Sequence, residues 1–329
     1  MYTALDQLKF LSEIDRYINL RRQLGAEPSV GSPVGQSVNL PHVFFVDSVN
    51  GSTTNAGVTP DRAISTIDGA IGKCTEGRGD IIVVLPNHVE TVTAAGGVAL
   101  DVAGITIVGI GTGSNRPKVN FTTAVGASFL VTGANCTVVN ILFTGGLDAL
   151  TKPIHVQAAD FKFLSCETRD VTGQATDFIV TTAAADRLFI KNWLHNGATA
   201  AGGDTAISIV GGDGIVIEDF QIYGNFAVAA IENVTTAATN LRIGGGAGEN
   251  FIQNGLDNAA VVAVTLVATS TGFVGPNIQT RIGVDSTSNT TNITEAFVGA
   301  AMQFMQPINI ANLGGEVAMQ TNITAATDA

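Results

Sequence analysis

The chain has 329 residues, long enough for one large domain or two ordinary ones, and 13% of them are charged, well under the roughly 25% usual in a soluble domain. Aromatics are 6%, glycines number 38, and the bias is toward Ala, Val, Ile, Thr and Asn. This excludes a Leu/Glu/Lys-rich helical bundle and suits short strands joined by tight turns. The formal net charge of −12 repels phosphate backbones, so no nucleic-acid partner is expected.

Residues 4–24 are the one good helical segment. Leu5, Leu8, Leu11, Ile14 and Ile18 recur at steps of three and four and share a face; Arg21 and Arg22 suit the last turn, and Gly25 is a stop. The first residues lack the basic flank and apolar core of a secretory signal, which reads as synthesis in a cytoplasm. Residues 26–40, with Pro28 and Pro33, read as a linker. A lone apolar stripe ahead of a linker calls for a docking surface, so residues 1–40 are expected to be an attachment arm.

From Val43 the pattern changes to short strands such as Ile81-Ile82-Val83-Val84-Leu85 and Ile105-Thr106-Ile107-Val108. A longer period overlies them. Asn135, Asp160, Asp186, Asp213 and Asn240 each precede a strand, at spacings of 25, 26, 27 and 27 residues. A helix-free period of this length matches one coil of a parallel β-helix, whose inward residues are buried only when coils stack. About eight coils fit between Val43 and Gly275, a rod of roughly 40 Å. Asn and Asp tolerate left-handed turns and bond nearby backbone, so the five anchors are expected to form a polar ladder at one corner. The expected division is arm 1–40, parallel β-helix 41–275 and a C-terminal cap or interaction tail 276–329. No window reaches the roughly 18 unbroken apolar residues of a membrane helix, so no membrane partner is expected.

The opening of the rod carries a resemblance. Val46-Asp47-Ser48-Val49-Asn50-Gly51 is followed by Asn55-Ala56-Gly57-Val58-Thr59-Pro60, then Thr66-Ile67-Asp68-Gly69-Ala70-Ile71, then Gly79-Asp80 before a strand. This resembles the opening of pectate-lyase-like right-handed β-helix proteins, where the third of these motifs is a short helix capping the first coil. The resemblance implies an all-β, right-handed parallel β-helix, here with an N-terminal α-helix and a C-terminal extension. Fold alone does not fix activity. His88-Val89-Glu90-Thr91 and the Ala/Thr/Gly-rich later coils look like phage structural proteins of this fold, in which an N-terminal element commonly attaches the rod and the rods are commonly trimers.

The leading expectation is a structural virion protein, made in the host cytoplasm. It would be a capsid decoration or cement protein docked through its arm on the major capsid protein, or on another virion protein, and self-associated as a homotrimer. The alternative is a tailspike or secreted polysaccharide lyase or hydrolase. Its carboxylates would come from Glu167, Asp170, Glu218 and Asp219, with Asp170 pairing across coils with Glu218 or Asp219. Adjacent Glu218 and Asp219 are expected on opposite faces of a regular strand. Trp193 and Tyr223, one coil apart, are the best hint of sugar stacking. No catalytic residue, metal ligand or cofactor is assigned: His42, His88, His155 and His195 show no HxxxH spacing, and Cys74, Cys136 and Cys166 no CxxC, so the cysteines read as buried hydrophobes.

Overall fold

The computed structural model describes residues 41–282, apart from 172, 199–202, 255–261, 268 and 276–277, together with short strands at 293–295, 302–304 and 308–309. The expected helix over 4–24, its stripe of Leu5, Leu8, Leu11, Ile14 and Ile18, and the linker lie outside the described residues.

Each coil lays one strand on each of three faces. In one coil these are Lys162–Leu164, Glu167–Asp170 and Asp177–Thr181. In the next, Phe189–Asn196 spans the first two faces and Thr205–Ile209 forms the third. Pairing between coils is parallel throughout, for example Lys162 opposite Phe189, Glu167 opposite Leu194 and Ile179 opposite Ile207. The third face is a sheet of eight strands. The fold is a parallel β-helix.

Stacking in register turns a modest apolar pattern into continuous columns. On the first face Ile82, Ile107, Val138, Phe163, Ile190, Ile217, Ile243 and Val274 lie in successive register, all buried. β-Branched side chains suit such a column, since their stiff χ1 loses little freedom when packed on a pleated surface. Aromatic contacts run between coils too: Phe143 packs at 5.4 Å from Phe129 and 5.6 Å from Phe163, centroid to centroid.

The motifs at the opening have physical roles. Asp47 accepts hydrogen bonds from the Val49 amide (2.8 Å) and Asn50 Nδ2 (2.9 Å), and a Cβ on Gly51 would stand 2.2 Å from the Asp47 carbonyl oxygen, so only glycine fits there. Helix α1, Ile67–Ile71, buries Ile67, Ala70 and Ile71 over the end of the rod, and the Thr66 side chain caps it by accepting from the Gly69 amide. Covering an open strand edge this way removes an aggregation template. Asp80, fully buried, accepts from Arg78 Nε and Nη2 (2.6 Å each), the His42 amide (2.7 Å) and the Thr75 amide (2.8 Å).

Asn135, Asp160, Asp186, Asp213 and Asn240 all sit at the corner ahead of the first face. The left-handed slot of that corner holds Asn135, Asp160, Arg187 and Asn240, with Gly214 between the last two. Asp186 and Asp213 stand one residue earlier than the expected alignment placed them. They still join the ladder: Asp186 accepts from the Asp213 amide at 2.8 Å, and Asp213 accepts from Asn240 Nδ2 at 2.7 Å. Arg187 forks onto Asp160 with two bonds of 2.7 Å, an exposed pair worth well under a buried one.

Stacking also passes the expected boundary at 275. Ile278–Ile282 pairs with Asn250–Asn254, and Met302–Phe304 with Gly272–Val274. The period fades there because the coil lengthens: the corner residue after Asn240 is Thr271, 31 residues on.

Candidate functional site

A second corner, between the first and second faces, positions the site. Asn140, Ser165, Asn192 and Asp219 occupy it in successive coils, all with φ between 52° and 55°. Each interrupts the pleat, so the alternation of inward and outward residues restarts after it. Asn140 is buried, and its Nδ2 donates to the carbonyls of Gly109 (2.8 Å) and Gly111 (3.0 Å). Asn140→Ala is expected to cost about 2–4 kcal/mol, combining a left-handed alanine with two stranded carbonyls. Asn140→Gly should recover the conformational part only, and urea denaturation of the two variants separates the contributions.

The restart overturns two expectations. Glu218 and Asp219 do not point to opposite faces: both meet the Lys191 ammonium, at 2.6 and 3.1 Å. Trp193 is not a sugar platform. It follows Asn192 and therefore turns inward, 1% exposed, with Nε1 donating to Thr168 Oγ1 at 2.8 Å. Thr168 Oγ1 also lies 2.8 Å from His195 Nδ1. Burial holds the His195 imidazole down to about 3, so it stays neutral in the core.

Outside the corner lies a pocket of about 180 Å³ lined by Arg116, Glu167, Asn192, Asp219, Gln221 and Glu249 among others. Glu167 accepts from Arg116 (3.0 Å), Asn196 (3.2 Å) and Arg169. Glu218 is held by Lys191 and Arg242, and hydrogen bonding to Glu218 raises the Lys191 ammonium above its usual range. Asp219 also accepts from the Gly248 amide at 2.6 Å; a Cβ at Gly246 would come 2.1 Å from Asp219 Oδ1, so glycine there lets the wall close on this carboxylate. Glu249, exposed at the rim, accepts from Gln221 Nε2 at 3.0 Å.

Beside the pocket, on the outer side of the second face, the partly exposed rings of Tyr223 and Phe251 pack at 5.4 Å between centroids. Burial, then the Glu249 charge, raises the Tyr223 phenol. The spacing does not reveal this pair, because the second corner of the coil that holds Phe251 is a run of positive-φ glycines, Gly244 to Gly246, in place of the single corner residue of the coils before it.

Asp170 stands apart. Register places it opposite Gly145 on one side and two coils below Gly224 on the other, six strand positions from Glu218, so the expected pairing with Glu218 or Asp219 is not formed. Its carboxyl accepts from the Ala175 amide at 3.1 Å, and burial pushes it up to about 7, with that amide partly offsetting the rise. A raised carboxyl pKa favours the folded state only while the group is protonated. Stability from this residue is therefore greatest below about pH 4 and falls as pH rises toward 7. Asp170→Asn is expected to raise the melting temperature at pH 8 and leave it nearly unchanged at pH 4, read by calorimetry.

Among the described residues no group of three or more His, Cys, Asp or Glu is placed to hold a metal ion. His155 lies on the outward side of the third face, with Gln157 Nε2 3.1 Å from its ring nitrogens. Cys136 and Cys166 are buried and unpaired, and burial pushes the Cys166 thiol up to about 12.

No protein-family model matches the chain, and no curated protein matches it. A solved structure titled "Rhamnogalacturonan lyase" is similar over 82% of this chain, with 16% sequence identity and a TM-score of 0.51. The chain spans 66% of the length of that structure. At this identity the likeness is one of fold, and it agrees with the pectate-lyase-like β-helix implied by the opening motifs.

Proposed function

We propose that the second face of this rod is a polysaccharide-binding surface, and that the corner pocket is where one sugar unit of a bound chain is held for cleavage. The observation that carries the reading is the Tyr223–Phe251 ring pair set beside a pocket lined by Glu167, Asp219 and Glu249. Aromatic faces beside fixed polar groups are what sugar recognition requires, apolar ring faces below and hydroxyl partners at the side. The pocket is smaller than the usual 300 Å³ or more of a drug-sized site, which suits one unit of a chain lying along the outer face. The fold neighbour is named a rhamnogalacturonan lyase, which supports the enzyme alternative over a purely structural role. Glu167 and Asp219 are the carboxylates we assign to proton transfer, because both line one pocket and are fixed by neighbouring donors.

The test is a panel of oligosaccharides screened for binding and for new reducing or unsaturated ends. Tyr223→Ala and Phe251→Ala should each weaken binding by about tenfold. Asp219→Asn or Glu167→Gln should retain binding and lower product formation by about a hundredfold or more. Unchanged product formation in both carboxylate variants would remove them from the chemistry.

A second reading, a structural virion protein, draws on the ion pairs. Glu167, Glu218 and Asp219 are each tied to a cation, a pattern that stiffens a rod. On this reading the arm, through Leu5, Leu8, Leu11, Ile14 and Ile18, docks on the major capsid protein, and the rods form a homotrimer. Deleting residues 1–25 should then abolish incorporation into the particle while leaving the rod folded.

A further inference from the structure

The charge balance at the corner points to a narrower class of ligand, and this inference rests on the saccharide reading above. We propose that the glycan taken at Tyr223, Phe251 and the corner pocket carries free amino groups, and that polyuronates are turned away. The cations that meet Glu167, Glu218 and Asp219 are each engaged by them. Arg116 and Arg169 are bound to Glu167, Lys191 bridges Glu218 and Asp219, and Arg242 is bound to Glu218. Of the residues that line the pocket only Arg116 is cationic, and it is bound to Glu167, so a uronate carboxylate arriving there would meet no unengaged cation in the lining. It would face Glu167, Asp219 and Glu249 instead, on a chain whose net charge is −12. Like charges brought together across a binding surface cost affinity and slow association.

Glu249 is the exception among these carboxylates. It has no ion pair among the described residues, and its hydrogen-bond partner is the neutral Gln221 amide. It stands exposed at the rim, and its charge reaches the Tyr223 phenol. An unneutralised carboxylate beside two partly exposed aromatic rings is the combination that holds an ammonium group. The carboxylate supplies the counter-charge, and a ring face adds cation–π attraction of about 0.5–1 kcal/mol at an exposed site. A neutral sugar would use the rings and leave Glu249 without a charged partner, so the arrangement discriminates in favour of the amine.

The test compares glucosamine oligomers, their fully N-acetylated counterparts and oligogalacturonates of equal length against the full chain, by calorimetric titration at pH 6 and low salt. We expect the glucosamine oligomer to bind about tenfold more tightly than the N-acetylated one, with the difference shrinking in high salt and collapsing in Glu249→Gln. Oligogalacturonate should bind weakest. Equal or tighter binding of the N-acetylated oligomer, or of the galacturonate, would overturn the amine assignment while leaving the saccharide surface standing. So would a preference for the amine that survives Glu249→Gln. If none of the three binds, and a wider glycan panel also fails, the saccharide reading itself falls and the amine assignment with it. Thermal melting of Glu249→Gln guards against unfolding, and its exposed position predicts an unchanged melting temperature.

Discussion

Asp80→Ala is expected to lower the stability of the rod by about 3–5 kcal/mol, the range seen when one partner of a buried ion pair is removed. Asp80 is the point at which the chain at His42 is tied to the 75–80 turn before the first full coil. Its carboxylate receives the Arg78 guanidinium side-on and the amides of His42 and Thr75, and it is completely covered. Removing it strands the guanidinium and two amides. Burial alone would raise its pKa, but the Arg78 bond together with the His42 and Thr75 amides more than reverses this, so the carboxyl titrates below its usual range. A lowered carboxyl pKa gives stability that is present above about pH 4 and is lost as the pH falls through the folded-state value. The gap between wild type and Asp80→Asn should accordingly narrow on acidification, measured by denaturant midpoints across pH 2–7. A variant with wild-type stability at neutral pH would show that the opening is held by something else.

The second large effect concerns Trp193. Trp193→Ala should cost about 3–5 kcal/mol, since it removes a fully buried indole from between coils and leaves Thr168 Oγ1 without its donor. Trp193→Phe keeps most of the volume and loses the hydrogen bond, so a loss nearer 1 kcal/mol is expected. Oligosaccharide affinity per folded molecule should be unaffected in the phenylalanine variant. The sequence reading of Trp193 as a sugar platform makes the opposite forecast, with stability preserved and binding lost.

These two residues show what could and could not be read from the chain. The coil period was legible because small polar residues ahead of the first face recur with backbone-dictated regularity, and because the opening motifs carry strict geometric demands, such as the Gly51 contact with Asp47. The second corner kept an equally regular spacing, yet it is filled by Asn140, Ser165, Asn192 and Asp219, three residue types that do not align by identity. Missing that corner meant carrying strand alternation straight through it. The consequence was an inward Trp193 read as outward, and Glu218 and Asp219 read as separated when they share Lys191. The one-residue offset at Asp186 and Asp213 has a related cause. Arg187 takes the left-handed slot while its guanidinium bonds Asp160, so the conspicuous aspartates flank the corner position instead of filling it. Tyr223 was noted, but its ring partner Phe251 became visible only through the stacking of two coils whose lengths differ.

The most direct test of the polysaccharide-binding surface is a structure of the protein with an oligosaccharide taken from the panel that binds it. The account predicts sugar rings lying over Tyr223 and Phe251, with one unit entering the pocket between Arg116 and Glu249. A sugar bound on the third face, or at the Asp160–Asn240 corner, with the second face bare, would contradict it.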